Sequence, residues 1–439
     1  MKSDRPVAIV GGGFSGTMVA AHLARRGIRS VLIDGSGRMG RGTAYSTREP
    51  AHLLNVRAEA MSAWADDPQH FARCFAAEDG DPRGFAQRCL FGGYLREILD
   101  QAVASGQVEA VAATACAARR DGDGWTVTVD DGGSLAARAL VLATGNEQPE
   151  ALGAVSGAGT RIIANPWGGD AQAAIAALAE TGGDALIVGT GLTMVDIALS
   201  LDAAGYRGRI LALSRRGLIP RGHAEFDPAP VALEDVPQGN IRALLRWLRR
   251  RGATSGWRAA VDALRPHSQT LWQSLGTNEQ RRFLRHARPW WDVHRHRIAP
   301  EVAATVARMV GDGRLEIAAG RIASMEERGE ELLVSYRRRG RSALAEARVA
   351  YAFNCTGPLQ AIAGTSDPLI RSLLDAGAAA PDPLGIGLAV DHRSRVSGAQ
   401  KLWALGPLTK ARYWEIIAVP DIRDQAAAVA EDIAQELGQ

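Results

Sequence analysis

The chain has little of what side-chain redox or metal chemistry requires. Its four cysteines, Cys74, Cys89, Cys116 and Cys355, lie far apart in 439 residues, so there is no CxxC pair, no zinc-type ligand cluster and no disulfide framework. Dithiol chemistry finds no support in that spacing, and Cys355, within NCTG, reads as a small buried residue. Lysine is nearly absent: Lys2, Lys401 and Lys410 are the three among 51 basic residues, a compositional bias that carries no functional weight. No uncharged apolar run reaches the roughly 18 residues of a membrane-spanning helix. The N-terminal MKSDRPVAIVGGG enters a buried-strand pattern within six residues, which leaves no room for a signal peptide, and the expectation is a cytoplasmic protein.

What remains is the composition of a globular protein of two or three domains, 46% hydrophobic and 23% charged. The net charge of +3 conceals a basic concentration, because thirteen arginines lie between Ile241 and Pro300 against only Asp262, Glu279 and Asp292. Such a patch is first a solvated helix face, and otherwise a surface for nucleic acid or an anionic cofactor.

The apolar run VAIV breaks into Gly11, Gly13 and Gly16, an amphipathic stretch follows, and a second run, SVLID, ends in Asp34. That order is strand, glycine turn, helix and strand. The first glycine permits the tight turn, the second admits a pyrophosphate, and the third lets helix pack on strand. Phe14 and Ser15 then open a helix whose N-terminus faces the phosphates, while Asp34 stands where a carboxylate accepts from a ribose hydroxyl. A second copy, ALIVGTGLTMVDIALSLDAAG, runs into RILALSRR. Gly189, Thr190, Gly191, Leu192 and Thr193 form its turn, and Met194 takes the place of the third glycine, which sets the helix slightly off its strand. Its second strand ends in Ser214, Arg215 and Arg216 instead of an acid, and guanidinium groups there suit a 2′-phosphate, favouring NADP(H) over NAD(H).

The duplication extends through a β-meander after each copy to a closing Thr-Gly, Thr144 and Gly145 in the first and Thr356 and Gly357 in the second. The expected fold is α/β: two Rossmann-like dinucleotide-binding domains, each with a β-meander, the second inserted in the first. Residues 1–160 and 351–439 form a discontinuous FAD-binding domain, and 161–350 form an NADP-binding domain. The second copy is the longer, and an arginine-rich helical insertion at about 240–310 accounts for the excess.

Several segments resemble bacterial FAD/NAD(P)-binding flavoproteins allied to flavin-containing (class B) monooxygenases: GRGTAYS, AHLLNVRAEAMSAW, FGGYLREIL, WWDVHRHRIAP and LWALGPLTKARYWEIIAVPDIRDQ. The resemblance implies FAD in the first domain, NADP(H) in the second, and hydride passing between them to a flavin that carries the chemistry. It implies cofactor contacts from Gly42, Thr43 and Tyr45 in GRGTAY, from Leu54, and from Gly406 in the closing LWALGPL. Asn55 in LLNVRAEAMS resembles the asparagine placed over the flavin near where oxygen reacts, and is the candidate catalytic residue; an ordinary loop asparagine is the competing reading. Pro420 and Asp421 could begin a terminal helix whose N-terminus faces the flavin, with Trp414 and Glu415 bordering it. Two departures stand out. The monooxygenases' linker histidine is missing, with RIIANPWGGD in about its place, and Pro407 follows Gly406 where disulfide-reductase relatives carry an aspartate.

In WWDVHRHR only Arg288 with Asp292, or Asp292 with Arg295 or His296, share a helix face, so an interdomain salt-bridge cluster is preferred to an anion clamp. His294 and His296 lack a convergent ligand set, and no metal is expected. The leading expectation is an NADPH-using, FAD-dependent oxidoreductase, monooxygenase-like, acting on a small-molecule substrate with molecular oxygen. The alternatives are a flavin reductase or dehydrogenase with a quinone or organic acceptor, and a redox-responsive cofactor-binding protein. A membrane partner is not expected, nucleic acid is disfavoured, and a homo-oligomer is compatible with the sequence.

Overall fold

The computed structural model describes residues 5–438, apart from 154, 158, 359 and 360. The first half starts as β1 (Val7–Val10), α1 (Phe14–Arg25) and β2 (Ser30–Ile33), with every residue of both strands buried. Parallel strands buried on both faces read as near-continuous apolar runs, which is why neither strand alternates. A helical turn α2 (Gly42–Tyr45), α3 (His70–Ala77) and α4 (Arg88–Ala104) lead to β3 (Val108–Val111). Next, β4 (Ala115–Asp121), β5 (Gly124–Val129) and β6 (Ser134–Ala137) form an antiparallel sheet of their own, and β7 (Ala139–Leu142) re-enters the core.

The second half repeats the plan. After β8 (Val155–Ser156), β9 (Ile162–Ile163) and α5 (Gly169–Thr181) come β10 (Ala185–Val188), α6 (Leu192–Ala203) and β11 (Ile210–Ser214). The crossover from β11 is then interrupted by α7 (Ile241–Ser255), α8 (Trp257–Ala263), α9 (Ser268–Ser274), α10 (Thr277–Arg282) and α11 (Arg288–Arg295). It resumes as α12 (Pro300–Gly311), which packs on α6 and delivers the chain to β12 (Leu315–Arg328). Then β13 (Glu331–Arg338), β14 (Ala345–Val349) and β15 (Tyr351–Asn354) complete the repeat, and α13 (Pro368–Asp375), β16 (Leu402–Ala404) and α14 (Val419–Glu436) close the chain.

The first sheet is wholly parallel in the order β16-β7-β1-β2-β3. The second runs β14-β13-β12-β11-β10-β15-β9, with β8 against β12. Here the two copies differ: β12 is one strand of 14 residues doing the work that β3 and β4 divide, so the second meander fuses with its main sheet. β8 pairs with β12 before residue 160, and β15 pairs with β10 after residue 350, so both strands belong to the second sheet.

α14 buries Ile422, Ala426, Val429, Ala430 and Ile433 in the core it shares with α1. Each large aliphatic buried there contributes about 1.5–3 kcal/mol, which fastens the C-terminal helix to the first nucleotide turn. Met194 behaves as its size requires. A Cβ on Gly16 would lie 1.9 Å from the Gly11 carbonyl oxygen, so α1 rests directly on the first turn, whereas at the corresponding position of the second copy Met194 is accommodated fully buried.

Candidate dinucleotide sites and the seam between them

The first turn is built on backbone that tolerates no side chains. Gly11 has φ +104°, and a Cβ there would lie 2.2 Å from the Ala143 carbonyl oxygen, so the turn sits hard against the end of β7. Gly13 caps α1 without any side-chain hydrogen bond, which leaves the first N–H groups of the helix, those of Phe14 and Ser15 among them, for an anion. Gly42 (φ +60°) lies against Gly13, its Cβ position 2.9 Å from the Gly13 Cα. Gly406 (φ +66°) abuts Ser15 in the same way, and its N–H donates to Gln425 Oε1 on α14 at 2.8 Å. Thr144 Oγ1 is buried without a partner, and Gly145 (φ +77°) opens on free space. A dinucleotide fits this convergence, because it supplies the missing acceptor and fills the space.

Asp34 has a second task. Its Oδ2 accepts from Gly12 N at 2.6 Å and its Oδ1 from Ser36 N at 2.8 Å, so the carboxylate holds the turn while keeping lone pairs for a ribose. Thr43 is exposed beside Arg38, with Nη1 to Oγ1 at 3.5 Å. Tyr45 packs edge-on against Phe91 of α4, 4.8 Å between ring centres, and burial pushes its phenol up to about 12. Leu54 lies wholly in the core.

The second turn reproduces the first in detail. Gly11 N donates to Ile33 O at 2.9 Å and Gly189 N to Leu213 O at 2.8 Å, while Ala143 and Cys355 each donate to the last residue of the central strand at 2.8 Å. Gly189 (φ +116°) sits against the Cys355 carbonyl, and Gly191 caps α6 ahead of Leu192 and Thr193 with nothing within 4 Å of its Cβ position. The approach to the phosphate position is therefore open. Thr190 Oγ1 meets Ser214 Oγ at 2.8 Å and donates to Leu218 O at 2.5 Å, so these two hydroxyls hold the turn together. Arg215 is exposed, and Arg216 donates to Arg285 O at 3.4 Å. Both line a cleft of about 690 Å³.

A polar seam locks the halves together. Arg88 makes two hydrogen bonds to Asp196 of α6, at 2.9 and 3.0 Å, with side chains 11% and 6% exposed, and its Nε donates to Leu53 O at 3.0 Å. His52 Nε2 donates to Asp196 O at 2.9 Å, so its Nδ1 accepts from the Thr47 hydroxyl at 2.8 Å. His223 Nε2 donates to Asn55 O at 3.0 Å, and burial lowers its pKa, which keeps the imidazole neutral. Asn55 is thus fixed by its carbonyl, half-buried at the junction, with its amide making no hydrogen bond to a described residue.

Residues 8–147 match the FAD-NAD(P)-binding family. A Baeyer-Villiger monooxygenase, ATR8 of Stachybotrys chlorohalonatus, is 28% identical over 207 residues, a match that covers 44% of this chain but only 31% of that relative's length. Among solved structures, L-lysine 6-monooxygenase from Pseudomonas syringae superposes with a TM-score of 0.69 at 16% identity, covering 98% of this chain and 99% of that one. An ornithine N-hydroxylase of Kutzneria sp. 744, solved with reduced FAD, NADP+ and L-ornithine, gives 0.68 at 14% identity over 99% of both chains. Thioredoxin reductase of T. acidophilum gives 0.57 at 12% identity, over 99% of this chain and 98% of that one. The chain has the two-dinucleotide-domain flavoprotein fold.

Within that fold the helical insertion leans on the first domain next to α14. Glu415, at φ +66°, accepts from Trp291 Nε1 at 2.5 Å and Arg295 Nε at 3.1 Å, with both charged side chains almost fully buried. Trp414 stacks on Trp272, 4.7 Å between centres, and Trp272 Nε1 donates to Ala411 O at 2.7 Å. WWDVHRHR therefore disperses as the helix geometry dictates: Arg288 pairs with Asp292 at 3.3 Å, Arg295 with Glu415 and Arg297 with Asp262. Burial raises the Asp292 carboxyl and lowers His296, so neither is held at its ordinary protonation balance. No group of His, Cys, Asp and Glu among the described residues could hold a metal ion, and no described helix is long and apolar enough to cross a membrane. Sequence reasoning missed Arg88, His52 and His223. The one signal for them was Asp196, a lone carboxylate inside the apolar MVDIALSL, which must find a partner once buried.

Proposed function

We propose that this protein is an FAD-dependent, NADPH-using oxidoreductase of the monooxygenase type acting on a small molecule. The observation that carries the reading is the pair of glycine turns of matching geometry, one followed by Asp34 and the other by Arg215 and Arg216, in two halves joined by Arg88 to Asp196 and by His223 to Asn55. When bound, FAD supplies hydride acceptance and electron delivery to oxygen or another acceptor. The chain's own contribution is positional. Gly11, Gly13 and Gly16 with Gly42, Thr144, Gly145 and Gly406 form the flavin dinucleotide's cradle, and Asp34 takes the ribose. Gly189, Gly191 and the first N–H groups of α6 take the nicotinamide cofactor's pyrophosphate, and Arg215 with Arg216 its 2′-phosphate. Asn55, anchored through its carbonyl by His223, keeps its amide for the reacting face. Trp414 and Glu415, fixed by the insertion, border the flavin's other end.

The test is anaerobic mixing of the FAD-loaded protein with NADPH and with NADH, followed by oxygen. Fast bleaching of the flavin by NADPH and slow bleaching by NADH is expected, with oxygen uptake matching NADPH consumption. Absence of bleaching by either nucleotide would sink the enzyme reading. The missing linker histidine favours one second reading, a reductase with an organic acceptor, and reoxidation by a quinone but not by oxygen would select it.

A further inference from the structure

The cleft that holds Arg215 and Arg216 contains far more positive charge than one cofactor needs. Eight arginines line it and no carboxylate does. Arg338 is paired with Glu316, and Arg216 reaches a backbone carbonyl of the insertion; the guanidinium groups of the other six make no hydrogen bond or ion pair to a described residue. A 2′-phosphate carries about two negative charges, so on the NADPH reading about five positive charges stay unmatched.

Four of these arginines lie on β12, on β13 and in the turn after it, beside the end of β11, where Ser214 pairs with Ala319. Arg321 on β12 stands directly opposite Arg337 on β13, and like charges at facing strand positions destabilise a sheet. Arg339 and Arg341 follow in the turn, fixed by Arg339 N donating to Ala319 O at 2.8 Å and Arg341 N to Arg338 O at 3.1 Å. A register shift in β12 between Ile322 and Ser324 bends the strand at the cleft, whose lining includes Ile322. Among the described residues no carboxylate pairs with Arg321 or Arg337, whereas an anion lying between the two strands and the turn would offset their repulsion. The lining is eight arginines with His286 and no tryptophan, tyrosine or phenylalanine, so phosphate charge dominates what the cleft recognises.

We propose that Arg321, Arg337, Arg339 and Arg341 form a second anion site for a multiply charged phosphate chain, beside the 2′-phosphate arginines and separate from them. This rests on the NADPH reading only for the role of Arg215 and Arg216. Two polyanions sharing one cleft repel, so occupancy of the second site weakens cofactor binding, and the site acts as a phosphate-responsive brake on cofactor exchange.

The experiment titrates the FAD-loaded full chain with NADP+ at rising concentrations of inorganic tripolyphosphate. Separate sites require the apparent Kd for NADP+ to rise to a plateau, roughly tenfold above its starting value, as coupling between distinct sites must saturate. The variant Arg337→Gln/Arg339→Gln/Arg341→Gln changes exposed positions; it should lose the plateau effect and most tripolyphosphate affinity while binding NADP+ as the parent does. Arg215→Gln/Arg216→Gln should do the converse. ATP in place of tripolyphosphate identifies the source: equal affinity assigns an inorganic chain and tighter binding a nucleoside triphosphate, and either supports the site. Three results overturn it: a Kd that climbs without limit, equal losses in both variants, or a DNA duplex that binds more tightly than tripolyphosphate and is lost in the turn variant. Tripolyphosphate binding by a protein that ignores NADP+ would refute the NADPH reading and leave the second site standing.

Discussion

Replacing Asp196 by asparagine should loosen the seam between the two halves by about 3–5 kcal/mol, the usual cost of stranding one partner of a buried ion pair. The magnitude follows from the geometry. Arg88 and Asp196 meet at 2.9 and 3.0 Å with side chains 11% and 6% exposed, so water cannot replace the lost carboxylate. Asparagine keeps the shape and one acceptor but leaves the guanidinium charged and uncompensated. Removing both charges at once, as Arg88→Met/Asp196→Leu, should restore most of the loss, because the pair's desolvation disappears with it. Two domains need not unfold together, so the measurement is amide hydrogen exchange in α6 and in residues 47–57, not a single melting temperature. At 1.4 kcal/mol per decade, the single variant should exchange there about a hundredfold faster or more, and the double variant within about tenfold of the parent. Acceleration below tenfold in the single variant, or a double variant as loose as the single, would refute the idea that this pair holds the halves in register.

Three further outcomes follow from the same geometry. Gly191→Ala meets no atom of the chain, so it should keep its flavin content yet raise the Kd for NADPH by about tenfold or more, since the second glycine admits the pyrophosphate; Gly16→Ala, with its Cβ 1.9 Å from the Gly11 oxygen, should fail to retain flavin at all. Arg215→Ala/Arg216→Ala should weaken NADPH by about 1.5–3 kcal/mol per lost charged hydrogen bond and spare NADH, and equal losses for both nucleotides would remove the 2′-phosphate role. Burial and the neighbouring Arg26 and Arg25 lower His22 to about 4, below its unfolded 6.5. Between those values the unfolded chain binds the extra proton, so acidification from pH 6.5 to 4 should cost about 3 kcal/mol that the His22→Phe variant does not lose; parallel stability curves for the two proteins would disprove it.

Which parts were legible in the sequence has a physical pattern. The glycine turns could be read because Gly11, Gly16 and Gly189 stand where any Cβ would strike backbone, a constraint local to a few residues. The dispersal of WWDVHRHR into separate salt bridges followed from helix periodicity. The fusion of the second meander was not legible, because whether β12 continues or breaks depends on what its far end pairs with. Which sheet β8 and β15 join was hidden for the same cause.

The sequence by itself determined the doubled α/β plan, the acid after one turn and the arginines after the other, because strand, turn and helix are decided by neighbours in the chain. Only the tertiary structure decided how the halves face each other. Arg88 reaches Asp196 and His223 reaches Asn55 across more than a hundred residues, and Arg321 meets Arg337 through strand register. Charge in a cleft depends on which side chains the fold brings together, and no local pattern carries that information.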